Sequence, residues 1–183
     1  MFATFEARAQ AVSAEVHRYG TRQEALQFLL DFLRAEAVAD APGSYAVWAD
    51  CPFLAGLDRA ELALQVPGLS FAVTRENAAA AKVGISQLDC AIAATGTLVQ
   101  DATRAELRLA STLPTIHVAL VPTGELYPDL AAVVARLDPR HAPYISMITG
   151  PSRTADIERV LTIGVHGPKR LVVVFVDELE GRQ

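Results

Sequence analysis

The chain has 183 residues, 51% of them hydrophobic, and a formal net charge of −5; its isoelectric point is near 5.3 and its mean hydropathy is +0.26. That length supports one domain with a sizeable buried core, and the acidic balance excludes a dedicated nucleic-acid binder, whose affinity would come from a basic surface. No apolar run is long enough to span a membrane, Glu6 and Arg8 stand where a signal peptide needs its apolar stretch, and the chain reads as cytoplasmic.

Two helical stripes occupy the first forty residues. Phe2, Phe5, Ala9, Val12 and Val16 recur at helical spacing until Gly20, and Thr21 with Glu24 forms a capping box ahead of Leu26, Leu29, Leu30 and Leu33. They predict an N-terminal helical extension over residues 1–40, packed on an α/β domain over 41–183. Residues 39–44, with Pro42 and Gly43, form the turn between the two. From Tyr45 onward short apolar runs alternate with helical patterns, which predicts an α/β sheet. Strands are expected at 45–49, 71–74, 91–93, 98–100, 116–121, 144–148 and 171–176, and helices at 57–65, 76–82, 127–136 and 154–163. Trp48 reads as a core or rim residue.

The run 149–178 is the richest in chemistry. Gly150, Pro151 and Ser152 make a turn, and Ser152 or Thr154 can cap a helix over 154–163 with Asp156 and Glu158 near its positive end. If strands 144–148 and 171–176 are parallel, that helix is their crossover and the turn lies at the carboxyl end of the first strand, where open α/β sheets bind ligands. His166, fixed by Gly164, Gly167 and Pro168, then lies roughly 15 Å from Ser152, one helix length away. A site using both residues calls for a homo-oligomer or an irregular loop. His166 and Asp156 are the candidate proton-transfer groups, and Ser152 and Arg153 are candidate ligand contacts.

Thr95, Gly96 and Thr97 interrupt two apolar runs, as a hairpin turn or as an anion cradle of N–H groups and hydroxyls. Arg108, Ser111 and Thr112 precede Pro114, which predicts a loop leading into the 116–121 strand, with Arg108 either on the surface or paired to a carboxylate or phosphate. His117 reads as a hydrogen-bonded structural histidine. Neither a P-loop nor a dinucleotide fingerprint is present. The four histidines have no metal-ligand spacing, and Cys51 and Cys90 fall short of an iron–sulfur or zinc set, so the residues predict neither a metal site nor an evident cofactor in this chain.

Gly84-Ile85, Ala91-Ile92-Ala93 with Thr95-Gly96-Thr97, the 111–114 approach, Gly150-Pro151-Ser152, residues 154–158 and Gly164-Val165-His166-Gly167-Pro168 together resemble the LUD domain family. The resemblance covers the second half of the chain densely. It departs where the family usually carries an acidic residue before the Thr-Gly-Thr turn and this chain has Ala94. It implies a three-layer α/β fold, a mainly parallel sheet with helices on both faces, similar to the NagB/RpiA/CoA-transferase group. It also implies a role as accessory, non-redox subunit in oxidation of L-lactate to pyruvate, beside partner proteins of which at least one holds iron–sulfur clusters. The alternatives are a small-molecule transferase or hydrolase, or a carboxylate- or phosphate-binding sensor, in which Thr95, Gly96, Thr97, Arg108, Gly150, Ser152 and Arg153 line the pocket.

Overall fold

The computed structural model describes residues 1–137, 140–157, 160–163 and 166–180; for 154–157 and 160–163 it describes the backbone alone. The chain opens with α1 (Phe2–Ala11), β1 (Glu15–Tyr19), α2 (Arg22–Ala35) and β2 (Tyr45–Trp48). There follow α3 (Arg59–Gln65), β3 (Leu69–Ser70), α4 (Arg75–Ala79), β4 (Ala81–Gln87), β5 (Cys90–Ile92), β6 (Thr97–Asp101) and α5 (Ala105–Thr112). The remainder comprises β7 (Ile116–Pro122), β8 (Leu126–Tyr127), α6 (Leu130–Val134), β9 (Ile145–Ile148), β10 (Arg153–Ile157), β11 (Val160–Ile163) and β12 (Arg170–Val176).

Six strands form one parallel sheet in the order β1-β12-β7-β4-β2-β3. β7 and β12 sit at its centre and are almost continuously apolar, as strands buried on both faces must be. Alternation divides their side chains between two cores. Val118, Leu120, Val172, Val174 and Val176 meet the α2 and α3 layer through Leu29, Leu33 and Leu62. Ala119, Val121, Leu171, Val173 and Phe175 meet Phe5 and Ala9 of α1 and Leu98 of a second sheet. Phe175 takes Phe2 and Phe5 edge-on at 5.3 and 5.0 Å, contacts that add about 0.5–1.5 kcal/mol each to area burial. The fold is therefore α/β with helices on both faces of a parallel sheet. Among the described residues no helix is long and apolar enough to cross a membrane.

The second sheet, β8-β5-β6-β9, packs on the α1 side, and β10 with β11 makes a separate two-stranded sheet. Several elements differ from the sequence reading. The first helical stripe stops at Ala11, and Glu15–Tyr19 is a strand paired in parallel with β12. The helix expected over 76–82 ends at Ala79, and β4 follows at once. The expected strand 71–74 is replaced by Leu69–Ser70, and the helix over 127–136 contracts to Leu130–Val134. Residues 105–112 are helical, because Pro114 lies past the last helical residue and removes no hydrogen bond from it.

The largest correction concerns the 149–178 run. Residues 153–157 and 160–163 pair as an antiparallel hairpin where a helix was expected. β9 runs antiparallel to β6 in the smaller sheet and never pairs with β12, so there is no crossover between them.

Candidate functional site

Gly150 follows β9 with φ +74°, and a Cβ built on it would stand 2.6 Å from the carbonyl oxygen of Val12. Only glycine lets the turn press this closely on the end of α1. Gly96, φ +65°, does the same one strand away: its Cβ would fall 2.5 Å from the backbone nitrogen of Ala9. Two glycine turns thus grip α1 and the bend that leaves it. Arg153 completes the clamp, its Nη2 donating to the Val12 carbonyl at 2.7 Å and to Ser13 Oγ at 3.1 Å.

The Thr95-Gly96-Thr97 turn is a hairpin between β5 and β6, closed by the Gly96 N–H on the Ile92 carbonyl at 3.0 Å. Its hydroxyls join those of β9's exit. Thr95 Oγ1 lies 2.7 Å from Thr97 Oγ1, which lies 2.8 Å from Thr149 Oγ1. Three linked hydroxyls hold three protons and use two of them between themselves, so one O–H remains; when the row donates in a single direction, that O–H is on exposed Thr95 or exposed Thr149. Such a row can hold a carboxylate or phosphate oxygen. Thr149 was not among the residues singled out from sequence; it carries no signal beyond preceding the glycine turn. Ala94, where the family usually has an acid, is exposed on the same turn.

Ser152 donates its backbone N–H to the Pro168 carbonyl at 2.9 Å, and a Cβ on Gly167 would stand 3.0 Å from Ser152 Cβ. His166 and Ser152 therefore belong to one surface of one chain. The helix-length separation expected between them does not exist, since a hairpin returns to its starting point. Ser152 caps no helix, and Asp156 lies in β10 with no helix dipole to serve; its side chain lies outside the described residues. Gly164, Val165 and Glu158 lie outside them as well. His166 is exposed and Ser152 half-buried. The cluster stands at the amino edge of the parallel sheet, where the Lys169 N–H meets the Thr115 carbonyl at 2.7 Å beside the starts of β7 and β12, and not at the carboxyl edge expected.

Arg108 is not part of it. From α5 its Nη1 donates to the carbonyls of Ala102 and, at 3.0 Å, Thr103, and its guanidinium lies 5.1 Å above the ring of Tyr144. Tyr144 precedes β9, whereas the threonine row lies at that strand's far end.

A second polar group lies between the sheets. His117 Nε2 is 2.9 Å from Ser86 Oγ, which also accepts from Gln100 Nε2 at 3.1 Å, and all three residues are buried. Burial pushes the His117 pKa down to about 4, so the ring is neutral. The structural reading of His117 fits this geometry. Both thiols are buried; burial raises Cys51 and, with Asp89 and Glu125 nearby, pushes Cys90 up to about 12. Among the described residues no group of three or more His, Cys, Asp or Glu is placed to hold a metal ion.

Comparison with known proteins agrees with this architecture. The LUD domain family matches residues 2–176. Lactate utilization protein C of Exiguobacterium sp. is 39% identical over 112 residues, which cover 58% of this chain and 49% of that protein. The protein of the same name from Anoxybacillus flavithermus is 36% identical over 104 residues, 56% of this chain and 47% of its own. This chain thus spans about half the length of the curated relatives it matches. A crystal structure of a DUF162 family protein from Deinococcus radiodurans superposes with a TM-score of 0.60 at 20% identity, covering 96% of this chain and 95% of that one, and shares the fold.

Proposed function

Because the chain belongs to the LUD domain family, with residues 2–176 matched, we propose that it serves lactate utilization as an accessory subunit carrying no electrons itself, while iron–sulfur partner proteins oxidise L-lactate to pyruvate. The names of the relatives from Exiguobacterium and Anoxybacillus support the lactate role. The single observation that carries the reading is the convergence of the family's scattered signature on one patch: the threonine row, Gly150 to Arg153, and His166 to Pro168. A spare hydroxyl proton and an exposed imidazole suit that patch to a small carboxylate or to a partner's acidic side chain.

The accessory assignment is supported by the number of cysteines in this chain, two, both buried, against the four thiolates that hold an iron–sulfur cluster. The test is reconstitution. The chain is mixed with iron–sulfur lactate-utilization proteins from its own source, and L-lactate-dependent dye reduction is followed. Dye reduction is expected only with the partners present, and His166→Ala is expected to lower it at least about fivefold, roughly 1 kcal/mol, with the melting temperature unchanged. Dye reduction by this chain alone, once its metal and flavin content is known, overturns the accessory role.

A further inference from the structure

The parallel sheet ends on β3 at one side and on β1 at the other, and the two edges are built differently. β3 is two residues long, and a short edge strand resists further pairing. β1 runs five residues, Glu15-Val16-His17-Arg18-Tyr19, pairs with β12 without a bulge, and contains neither proline nor lysine. No described strand pairs with its outer side. One hydrogen bond fixes the direction of its backbone groups: the Tyr19 carbonyl accepts from the Asp177 N–H at 3.0 Å, one residue past its register partner Val176. Alternate residues of a parallel ladder turn both backbone groups to the same neighbour, so Glu15, His17 and Tyr19 face β12 while Val16 and Arg18 aim theirs outward.

The side chains alternate between the two layers. His17 and Tyr19 stand on the α2 side, 4.6 and 5.3 Å from the half-buried ring of Phe28, which lies 5.9 Å from half-buried Phe32 one turn on. Val16 and Arg18 stand on the α1 side, the Arg18 guanidinium 5.1 Å over half-buried Phe2. Both charges of the strand are compensated within the chain. Asp177 takes Arg18 with both oxygens at 2.8 and 3.0 Å, and Arg170 holds Glu15 at 2.9 and 3.2 Å. The Tyr19 hydroxyl bonds to no described residue.

We propose that this edge takes a second copy of the chain, the two β1 strands pairing antiparallel about His17 and joining the parallel sheets into one. The segment is its own complement in that register. Val16 of each copy faces Arg18 of the other, and each pair exchanges both backbone hydrogen bonds while the arginine stem lies on the valine. Glu15 faces Tyr19 of the second copy, so a carboxylate with about four acceptor positions meets the hydroxyl left without a partner. His17 faces His17 across the axis at the closer, non-hydrogen-bonded spacing of about 4.5 Å between Cα atoms, and the ring contacts run on from one α2 to the other. Neighbouring registers fit worse. An axis at Arg18 sets two guanidiniums opposite each other, and an axis at Val16 runs Tyr19 against Ser13, whose φ of 70° takes it out of the strand. The interface is separate from the lactate patch, and either assignment can fail without the other.

Sedimentation velocity on the full chain is expected to show a species of twice the 19.6 kDa chain mass, with a Kd below about 10 μM. Val16→Pro removes an outward N–H and no bond to β12, so it should weaken the dimer at least about tenfold with the circular dichroism spectrum unchanged. His17→Cys should oxidise to a covalent dimer, because Cα atoms about 4.5 Å apart suit a disulfide. Val16→Cys, facing Arg18, should not, and the native cysteines are buried. If Val16→Pro does not fold, the pair of cysteine variants decides alone. A monomer at about 100 μM, a folded Val16→Pro variant that dimerises like the wild type, or failure of His17→Cys to cross-link overturns the proposal.

Discussion

Ser152 gives its backbone N–H to the carbonyl of Pro168 at 2.9 Å, and this one hydrogen bond joins the two halves of the family signature across the β10–β11 hairpin. Gly167 lies against the same serine, where an added Cβ would stand 3.0 Å from Ser152 Cβ and 3.2 Å from its Oγ. Gly167→Val should therefore force the halves apart, at about 1–3 kcal/mol, with Gly167→Ala in between. A thermal melt reads this as a fall of about 2–4 °C per kcal/mol for a chain of this size. Equal melting temperatures for all three proteins would mean the halves do not touch.

Gly96 is under a double constraint, a φ of +65° and the backbone of Ala9 at 2.5 Å from a built Cβ. Gly96→Ala should cost about 1–3 kcal/mol through left-handed strain and displacement of α1. Gly124 has nothing within 4 Å of its built Cβ, and Gly124→Ala is the matched control, expected to be near neutral. Urea midpoints of the two variants check the contrast.

Arg153 links the hairpin to the bend after α1 through Val12 and Ser13. Removing it should cost about 0.5–1.5 kcal/mol per hydrogen bond lost. Hydrogen exchange should show the loss as faster exchange in residues 9–14, with the centre of β7 unchanged.

The pH dependence has a definite sign. His117 titrates near 4 when folded and near 6.5 when unfolded, because burial disfavours its charged form. Its contribution is intact above pH 6.5 and declines as pH falls towards 4, where the unfolded chain binds a proton that the folded chain refuses; the loss amounts to roughly 3 kcal/mol. His117→Gln should flatten that part of the stability profile. A wild-type slope retained in the variant would assign the effect to other groups.

Cys90 at about 12, and Cys51 raised by the same burial, should both be silent to a thiol reagent at pH 8 in the native protein. Both should react once the chain is unfolded in guanidinium. Rapid native labelling of either would contradict their placement in the core.

Much of this was legible before the fold. The capping box at Thr21 and Glu24 forms as its residues suggest, and the runs at β2, β5, β6, β7, β9 and β12 are strands. Where reading failed, tertiary context outweighed a local signal. Residues 152–158 offer serine and acidic residues at helix-start positions, but Thr154, Ile157, Val160, Thr162 and Ile163 are β-branched, and pairing wins. The alanines before β4 suggest a longer helix, yet Val83 and Ile85 are fully buried in the α2-side core, which holds that segment extended. Of the candidate site, the glycine turns and threonines were visible as types. Their assembly around Val12 and Ser13 was not, because it depends on a bend whose Ser13 adopts φ 70° without glycine. Arg108 looked available as an anion contact only because α5, which carries its guanidinium to Tyr144 and the carbonyls of Ala102 and Thr103, was not apparent.

The hairpin has a consequence for how this surface can change. Its two strands pair with each other and with neither larger sheet, and its feet are already stapled at Ser152 and Pro168. Residues added to or taken from its tip change the closure entropy by only about 0.6 kcal/mol per doubling of length. Strand residues 154–157 belong to the family's pattern, so what is open to change is the length of chain between the two strands: a peptide inserted there would leave His166 and the threonine row standing.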